Sequence, residues 1–327
     1  MKILVHGLGR MGMQIARKLA ESGEHEVYAH NRSPEPMEEA ASYGARPTPD
    51  ISDIPAAFGE QRAVVWVMLP AEITEQVVLD WTTRLPKDSI VINGANFDFR
   101  ETKKLNEKVE AAGLHLVDIG VSGGIWGYHN GFPLMCGSDD EAAFAYLRPV
   151  LETLVQPGGM YARFGTSGAG HYVKMVHNAI EYGMMQSLGE GFRMLHDGPY
   201  AGQIDLATAA DLWQHHSVIT SWLTELSRQA LAENPELEGV SGYVAESGEA
   251  RWTLEAARDM GIELPAIQAA FDVRLRSQQG ETNFATKVVA AQRGKFGGHN
   301  LNGEGRAVPG AQPATGTAVT DTAQGSA

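Results

Sequence analysis

The chain has 327 residues, 43% of them hydrophobic and 20% charged, and a formal net charge of −14. That length allows two domains with a sizeable core, and the acidic balance argues against general affinity for nucleic acid or anionic membranes, so an anionic ligand would need a local basic pocket. A single cysteine, Cys136, excludes an intrachain disulfide and fits a reducing, cytoplasmic setting; within the apolar run FPLMCG it reads as a core residue rather than a nucleophile.

The chain opens directly on KILVHG, with no charged leader ahead of it. The longest plain apolar run, Ala63 to Leu69, is far short of the roughly 20 residues of a membrane helix, so a soluble, unexported protein is expected. Strands are predicted at Lys2–His6, Glu26–His30, Ala63–Leu69, Ser89–Asn93, Leu114–Ile119, Pro133–Cys136 and Tyr161–Phe164. Amphipathic stretches such as GMQIARKLAESG and ETKKLNEKVEAAG separate several of them. Repeated strand, helix, strand predicts a mostly parallel sheet with helices on both faces.

After Gly170 the strand signal stops. Helical patterns cover His171–His196, Asp205–Glu233, Ala250–Met260 and Pro265–Gln279, with a last helix from Thr286 to about Arg293. Beyond His299 the chain is rich in Gly, Ala, Pro and Thr and cannot bury enough surface to offset its ordering entropy. The expected organisation is α/β: a dinucleotide-binding domain over 1–165, an all-helical domain over 166–300, and a disordered tail over 301–327.

VHGLGRMG follows the first strand and opens a helix, which is the context a G-x-G-x-x-G needs. Gly7 permits a tight turn, Gly9 lets backbone approach a pyrophosphate, and Gly12 lets helix and strand pack closely. The helix-start N–H groups then face the phosphates. This is the fingerprint of a Rossmann-type domain. Leu8, Arg10 and Met11 belong to the same loop, and Met68 and Leu69, at the end of the third predicted strand, are assigned to the cofactor with them. The second strand ends in YAHNRS, with no acidic residue for a ribose hydroxyl. Asn31, Arg32 and Ser33 stand there instead, and Arg32 can pair with a 2′-phosphate. NADP is therefore favoured over NAD, although Arg32 also reads as a surface arginine at a turn.

In HYVKMVHNAIEYGMMQ, Lys174, His177, Asn178, Glu181 and Tyr182 fall on one face at about 100° per residue. The rest of the helix is apolar, so the stripe reads as the lining of a cleft rather than a solvated surface. A lysine near a carboxylate in a partly dry cleft is an acid–base pair whose protonation can be tuned.

KMVHNAIEY, with the glycine loop, resembles 6-phosphogluconate dehydrogenase, in particular its short bacterial form, within the wider β-hydroxyacid dehydrogenase superfamily. The resemblance covers about Met1 to His299. It implies that Ser122, Gly123 and Gly124 of VSGG hold the sugar-acid carboxylate; read alone, Ser-Gly-Gly is equally an ordinary loop. It implies that Asn96 of NGAN contacts the cofactor, although Asn93 and Ala95 depart from the family pattern. In GEARWT, Arg251 and Thr253 would reach the substrate phosphate, with arginine where the family has lysine. In DVRLRS, Arg274 would bind phosphate, with Arg276 as the alternative, and both also read as basic helix surface. RGKFGGH carries Arg293 and His299, a segment that in the family enters the neighbouring subunit and completes its phosphate site. A homodimer or homotetramer is therefore expected; the same segment alone reads as a helix end with a glycine stop.

The resemblance further implies oxidation and decarboxylation of 6-phosphogluconate to ribulose 5-phosphate and CO2, with NADP (or NAD) reduced, as in the pentose phosphate pathway. Lys174 would be the base and Glu181 the acid, with His177 and Asn178 orienting the substrate and Tyr182 facing the phosphate. No metal is expected. The competing readings are a non-decarboxylating β-hydroxyacid dehydrogenase and a non-catalytic NADP-binding sensor.

Overall fold

The computed structural model describes residues 1–298 and 301. Among them, eight strands form one sheet: β1 (Lys2–His6), β2 (Glu26–His30), β3 (Arg46–Pro47), β4 (Val64–Val67), β5 (Ile90–Asn93), β6 (His115–Val121), β7 (Leu134–Ser138) and β8 (Tyr161–Gly165). Their order is β3-β2-β1-β4-β5-β6-β7-β8. Neighbours are parallel except β6 and β7, which are antiparallel. Eight helices flank the sheet: α1 (Arg10–Glu21), α2 (Glu35–Ser42), α3 (Ile54–Phe58), α4 (Ala71–Arg84), α5 (Phe99–Ala111), α6 (Gly127–Asn130), α7 (Glu141–Tyr146) and α8 (Arg148–Val155). The helical part follows with α9 (Ala169–Asp197), α10 (Leu206–Gln214), α11 (Trp222–Glu233), α12 (Glu249–Asp259), α13 (Pro265–Gln278) and α14 (Phe284–Gly297).

The period of two in a strand divides the core. Ile3 and Val5 pack on one face with Val27, Ala29 and the Ile15, Ala16 and Leu19 stripe of α1. Leu4 packs on the other face with Val65, Val67, Trp81 of α4 and Leu105 and Val109 of α5. Because helices cover both faces, the central strands read as unbroken apolar runs.

Helix α9 joins the two parts, and its seat on the sheet is built from small residues and one buried acid. The Asp118 carboxylate of β6 accepts from Gly168 N at 2.7 Å and His171 N at 2.8 Å, satisfying N–H groups at the start of α9. A Cβ on Gly120 would meet Lys174 Cβ at 2.3 Å, and one on Gly170 would meet Met135 O at 2.4 Å. Those glycines let the helix lie directly on β6 and β7, which carries Lys174 over the carboxyl end of the sheet.

Three elements differ from expectation. β3 is a two-residue edge strand, too short to leave a pattern. The pattern over 205–233 is two helices, broken where Ser217 Oγ and Thr220 Oγ1 both donate to Trp213 O (2.6 and 2.9 Å) and His216 takes φ +62°. The last helix begins earlier, at Phe284, because Asn283 forms a capping box with Thr286. The segment expected to be disordered, 301–327, lies outside the described residues apart from Leu301.

Among the described residues no helix is long and apolar enough to cross a membrane. Cys136 is fully buried, and burial pushes its thiol far up.

Candidate active site

The glycine turn is sterically determined. Gly7 has φ +104°, and a Cβ there would strike Met68 O at 2.4 Å. A Cβ on Gly12 would meet Gly7 O at 1.9 Å, whereas one on Gly9 would meet nothing within 4 Å. Two of the glycines are thus required by packing, and the third faces open space at the α1 N-terminus, where a phosphate group could approach. Asn31 braces the turn: its Oδ1 accepts from Leu8 N at 3.2 Å, and its Nδ2 donates to Ser33 Oγ at 3.1 Å. Arg32 and Ser33 are exposed just past the end of β2.

Beside this turn, a cleft of about 760 Å³ opens between the carboxyl ends of the strands and the helical part. It lies where the strand order reverses between β1 and β4, the place where open α/β sheets bind ligands. The sheet side contributes Arg10 and Met11 from the start of α1, Met68 and Leu69 after β4, Asn96 after β5, and Ser122, Gly123 and Gly124 after β6. The helical side contributes Lys174, His177, Asn178, Glu181 and Tyr182 from α9, Glu249 from α12, Arg274 from α13 and Arg293 from α14. Arg10 also donates to Gly297 O at the end of α14, tying the glycine turn to the helical wall.

Lys174 is only 7% exposed. Burial pushes its ammonium down, while Glu181 and Glu249 pull the other way. His177 is lowered by burial and by the Lys174 charge. Glu249 is 1% exposed, and burial raises its carboxyl. Arg274 stacks on the Tyr182 ring, with its guanidinium carbon 3.3 Å from the ring centroid. Arg293 is pushed down to about 10 by burial and by Arg274 nearby. Two buried guanidiniums that oppose one another's charge form a site that favours an anion.

The expected face of α9 is thus assembled whole, and Arg274 rather than Arg276 enters the cleft. Arg276 is half-exposed and pairs with Glu281. Two expectations are corrected, those for Arg251 and Thr253. Arg251 points away from the cleft, half-exposed, to Glu246, and Thr253 is buried with its hydroxyl donating to Glu249 O at 2.8 Å. Helix α12 begins at Glu249, and residues two apart on a helix lie about 200° apart, so when Glu249 faces inward Arg251 must face out. Arg293 lines the cleft of its own chain; His299 lies outside the described residues. Sequence reasoning missed Glu249, which stands inside the GEARWT motif it quoted, and Trp222 at the start of α11. Among the described residues no group of three or more His, Cys, Asp or Glu is arranged to hold a metal.

Comparison with known proteins gives matches over both parts of the chain. The family model for the NAD binding domain of 6-phosphogluconate dehydrogenase matches residues 2–164, and that for the 6-phosphogluconate dehydrogenase C-terminal domain matches 170–308. A Bacillus subtilis protein, YqeC, whose name carries 6-phosphogluconate dehydrogenase provisionally, is 36% identical over 300 residues, 91% of this chain and 98% of its own. The NAD(+)-dependent, decarboxylating 6-phosphogluconate dehydrogenase of Haloferax volcanii is 35% identical over 303 residues, 92% of this chain and 98% of its own. In fold, the chain is similar to Plasmodium falciparum 6-phosphogluconate dehydrogenase, solved in its apo form, with NADP+ and with 6-phosphogluconate: TM-score 0.76 at 22% identity, over 86% of this chain and 63% of that one.

Proposed function

The chain belongs to the 6-phosphogluconate dehydrogenase family, and from that premise we propose that it oxidises and decarboxylates 6-phosphogluconate to ribulose 5-phosphate and CO2 with a nicotinamide dinucleotide. The observation that carries this reading is the sharing of one cleft by a buried lysine flanked by carboxyls and a pair of buried arginines. An ordinary hydroxy acid has no use for the second feature. A phosphate does.

The glycine turn fits a dinucleotide, with Gly9 open to the pyrophosphate and Met68, Leu69 and Asn96 along the wall towards Lys174. The bound nicotinamide supplies the hydride acceptor. Lys174, whose burial favours the neutral amine, takes the proton of the C3 hydroxyl as that carbon is oxidised. Protonated Lys174 then faces the developing enolate oxygen as CO2 leaves the β-keto acid, a charge-placement role. Glu181, seven residues along the same helix face, delivers a proton to C1. The carboxylate lies against the backbone of Gly123 and Gly124. Arg274 and Arg293 hold the phosphate, and Tyr182 supports Arg274. Arg32 and Ser33 favour NADP through its 2′-phosphate. The helical part exposes Met194, Leu212 and Val218, apolar surface that supports self-association.

The test is incubation with 6-phosphogluconate and each nicotinamide in turn, following absorbance at 340 nm and trapped CO2. Equal yields of reduced cofactor and CO2 are expected. Reduction without CO2 would make the protein a non-decarboxylating β-hydroxyacid dehydrogenase, and cofactor binding without reduction would make it a sensor.

A further inference from the structure

A file of hydrogen bonds links the sheet half to the helical half through the cleft wall. Ser122 Oγ lies 3.3 Å from His177 Nε2, and His177 Nδ1 lies 2.9 Å from Asn178 Oδ1. Asn178 Nδ2 donates to Glu249 Oε1 at 2.8 Å. Glu249 stands on the first turn of α12, and its other oxygen, Oε2, is buried with no hydrogen-bond partner.

The last link fixes the direction of all the others. As a carboxylate, Glu249 can only accept, so Oε1 takes its bond from the Asn178 NH2. Asn178 must therefore turn its NH2 towards Glu249 and its carbonyl towards His177. A carbonyl accepts, so His177 Nδ1 carries a hydrogen. Burial favours the neutral ring, which leaves Nε2 a bare acceptor that Ser122 must fill with its own hydrogen. The serine oxygen then offers only lone pairs to the cleft.

We propose that Glu249 is a positioning residue which, through Asn178, locks His177 in its Nδ1–H tautomer and makes Ser122 an acceptor for a substrate hydroxyl. Ser122 is then committed to a hydroxyl of the sugar chain, and the carboxylate falls to the backbone N–H groups of Gly123 and Gly124. The tautomer assignment goes beyond the proposed reaction, and only the kinetic readout rests on it.

The test uses the full chain labelled with 15N-histidine, with the His177 ring assigned by its loss in His177→Gln. Two-bond 15N–1H correlation identifies the protonated nitrogen. The expected result is the Nδ1–H pattern in the wild type and in Glu249→Gln, whose carboxamide oxygen accepts the same bond. In Glu249→Ala the pattern switches or averages. Should Glu249→Ala fail to fold, Asn178→Leu breaks the file one step earlier and must release the tautomer in the same way. kcat/KM for 6-phosphogluconate falls about 10–100-fold in Glu249→Ala and is mostly recovered in Glu249→Gln, with cofactor affinity equal in all three. An Nε2–H or doubly protonated His177 in the wild type, or an unchanged tautomer in Glu249→Ala, overturns the proposal. If 6-phosphogluconate is no substrate, the proposed reaction fails while the tautomer spectra still decide the wiring.

Discussion

A methyl group added to Gly12 in the sheet half would strike backbone at 1.9 Å, whereas the helical half lines the same cleft with buried Lys174, Glu249, Arg274 and Arg293. One half shapes its part of the site by leaving side chains out; the other does so by burying charged ones. Absence tolerates no substitution, because backbone cannot retreat. Buried charge tolerates shape-preserving substitution but not loss of the charge it balances. The sheet half should therefore govern cofactor binding in an all-or-none way, and the helical half should govern chemistry and substrate affinity in graded steps.

The sharpest break is Gly12→Val, which is expected to abolish NADP binding, read by cofactor fluorescence or calorimetry; retained binding would deny the steric account of the turn. Next is Lys174→Met, which should lower kcat about 10³-fold while leaving the cofactor Kd within about twofold; Glu181→Gln should follow with a smaller loss. Smaller again are Arg274→Ala and Arg293→Ala, each raising KM for 6-phosphogluconate about 10–100-fold, the worth of a charged hydrogen bond. Arg251→Ala, facing solvent, should change KM less than about twofold. That contrast separates the two arginine positions which the sequence alone had placed on the phosphate together with Arg251.

The smallest effect is on stability and belongs to the sheet half. His6, at the end of β1, accepts from Trp81 Nε1 at 3.0 Å and is pushed down to about 4 by burial and by His30. The unfolded chain binds this proton at about 6.5, so it holds more protons than the native state between these values, and stability falls as pH drops through that window. About 2 kcal/mol should be lost between pH 7 and pH 5 from this group. His6→Asn keeps an acceptor for Trp81 without a titrating ring, so its urea-unfolding free energy should vary less with pH than the wild type's. Equal slopes would remove His6 from the account.

The same contrast governs what could be read from the residues in order. The buried strands announced themselves because β4 is apolar at every position and β5 at all but its last, Asn93, and the glycine turn because its spacing is local. The face of α9 was legible because all five polar residues lie within nine positions of one helix. Glu249 and Arg251 were not, because which of them enters the cleft depends on where α12 starts, and Gly248 at φ +99° fixes that start only in the folded chain. The break between α10 and α11 carried no glycine or proline; hydroxyl-to-backbone bonds at Trp213 make it. β3 was too short to show.

The account depends most on one amine held dry between the two halves. Its direct measurement is the titration of Lys174 with 13Cε-labelled lysine, the resonance being assigned by its loss in Lys174→Met. The account predicts a midpoint below the ordinary lysine value of about 10.4, rising again when substrate-side carboxyls are kept but the cleft is opened to water by mild denaturant. A midpoint equal to that of the exposed lysines in the same spectrum would contradict it.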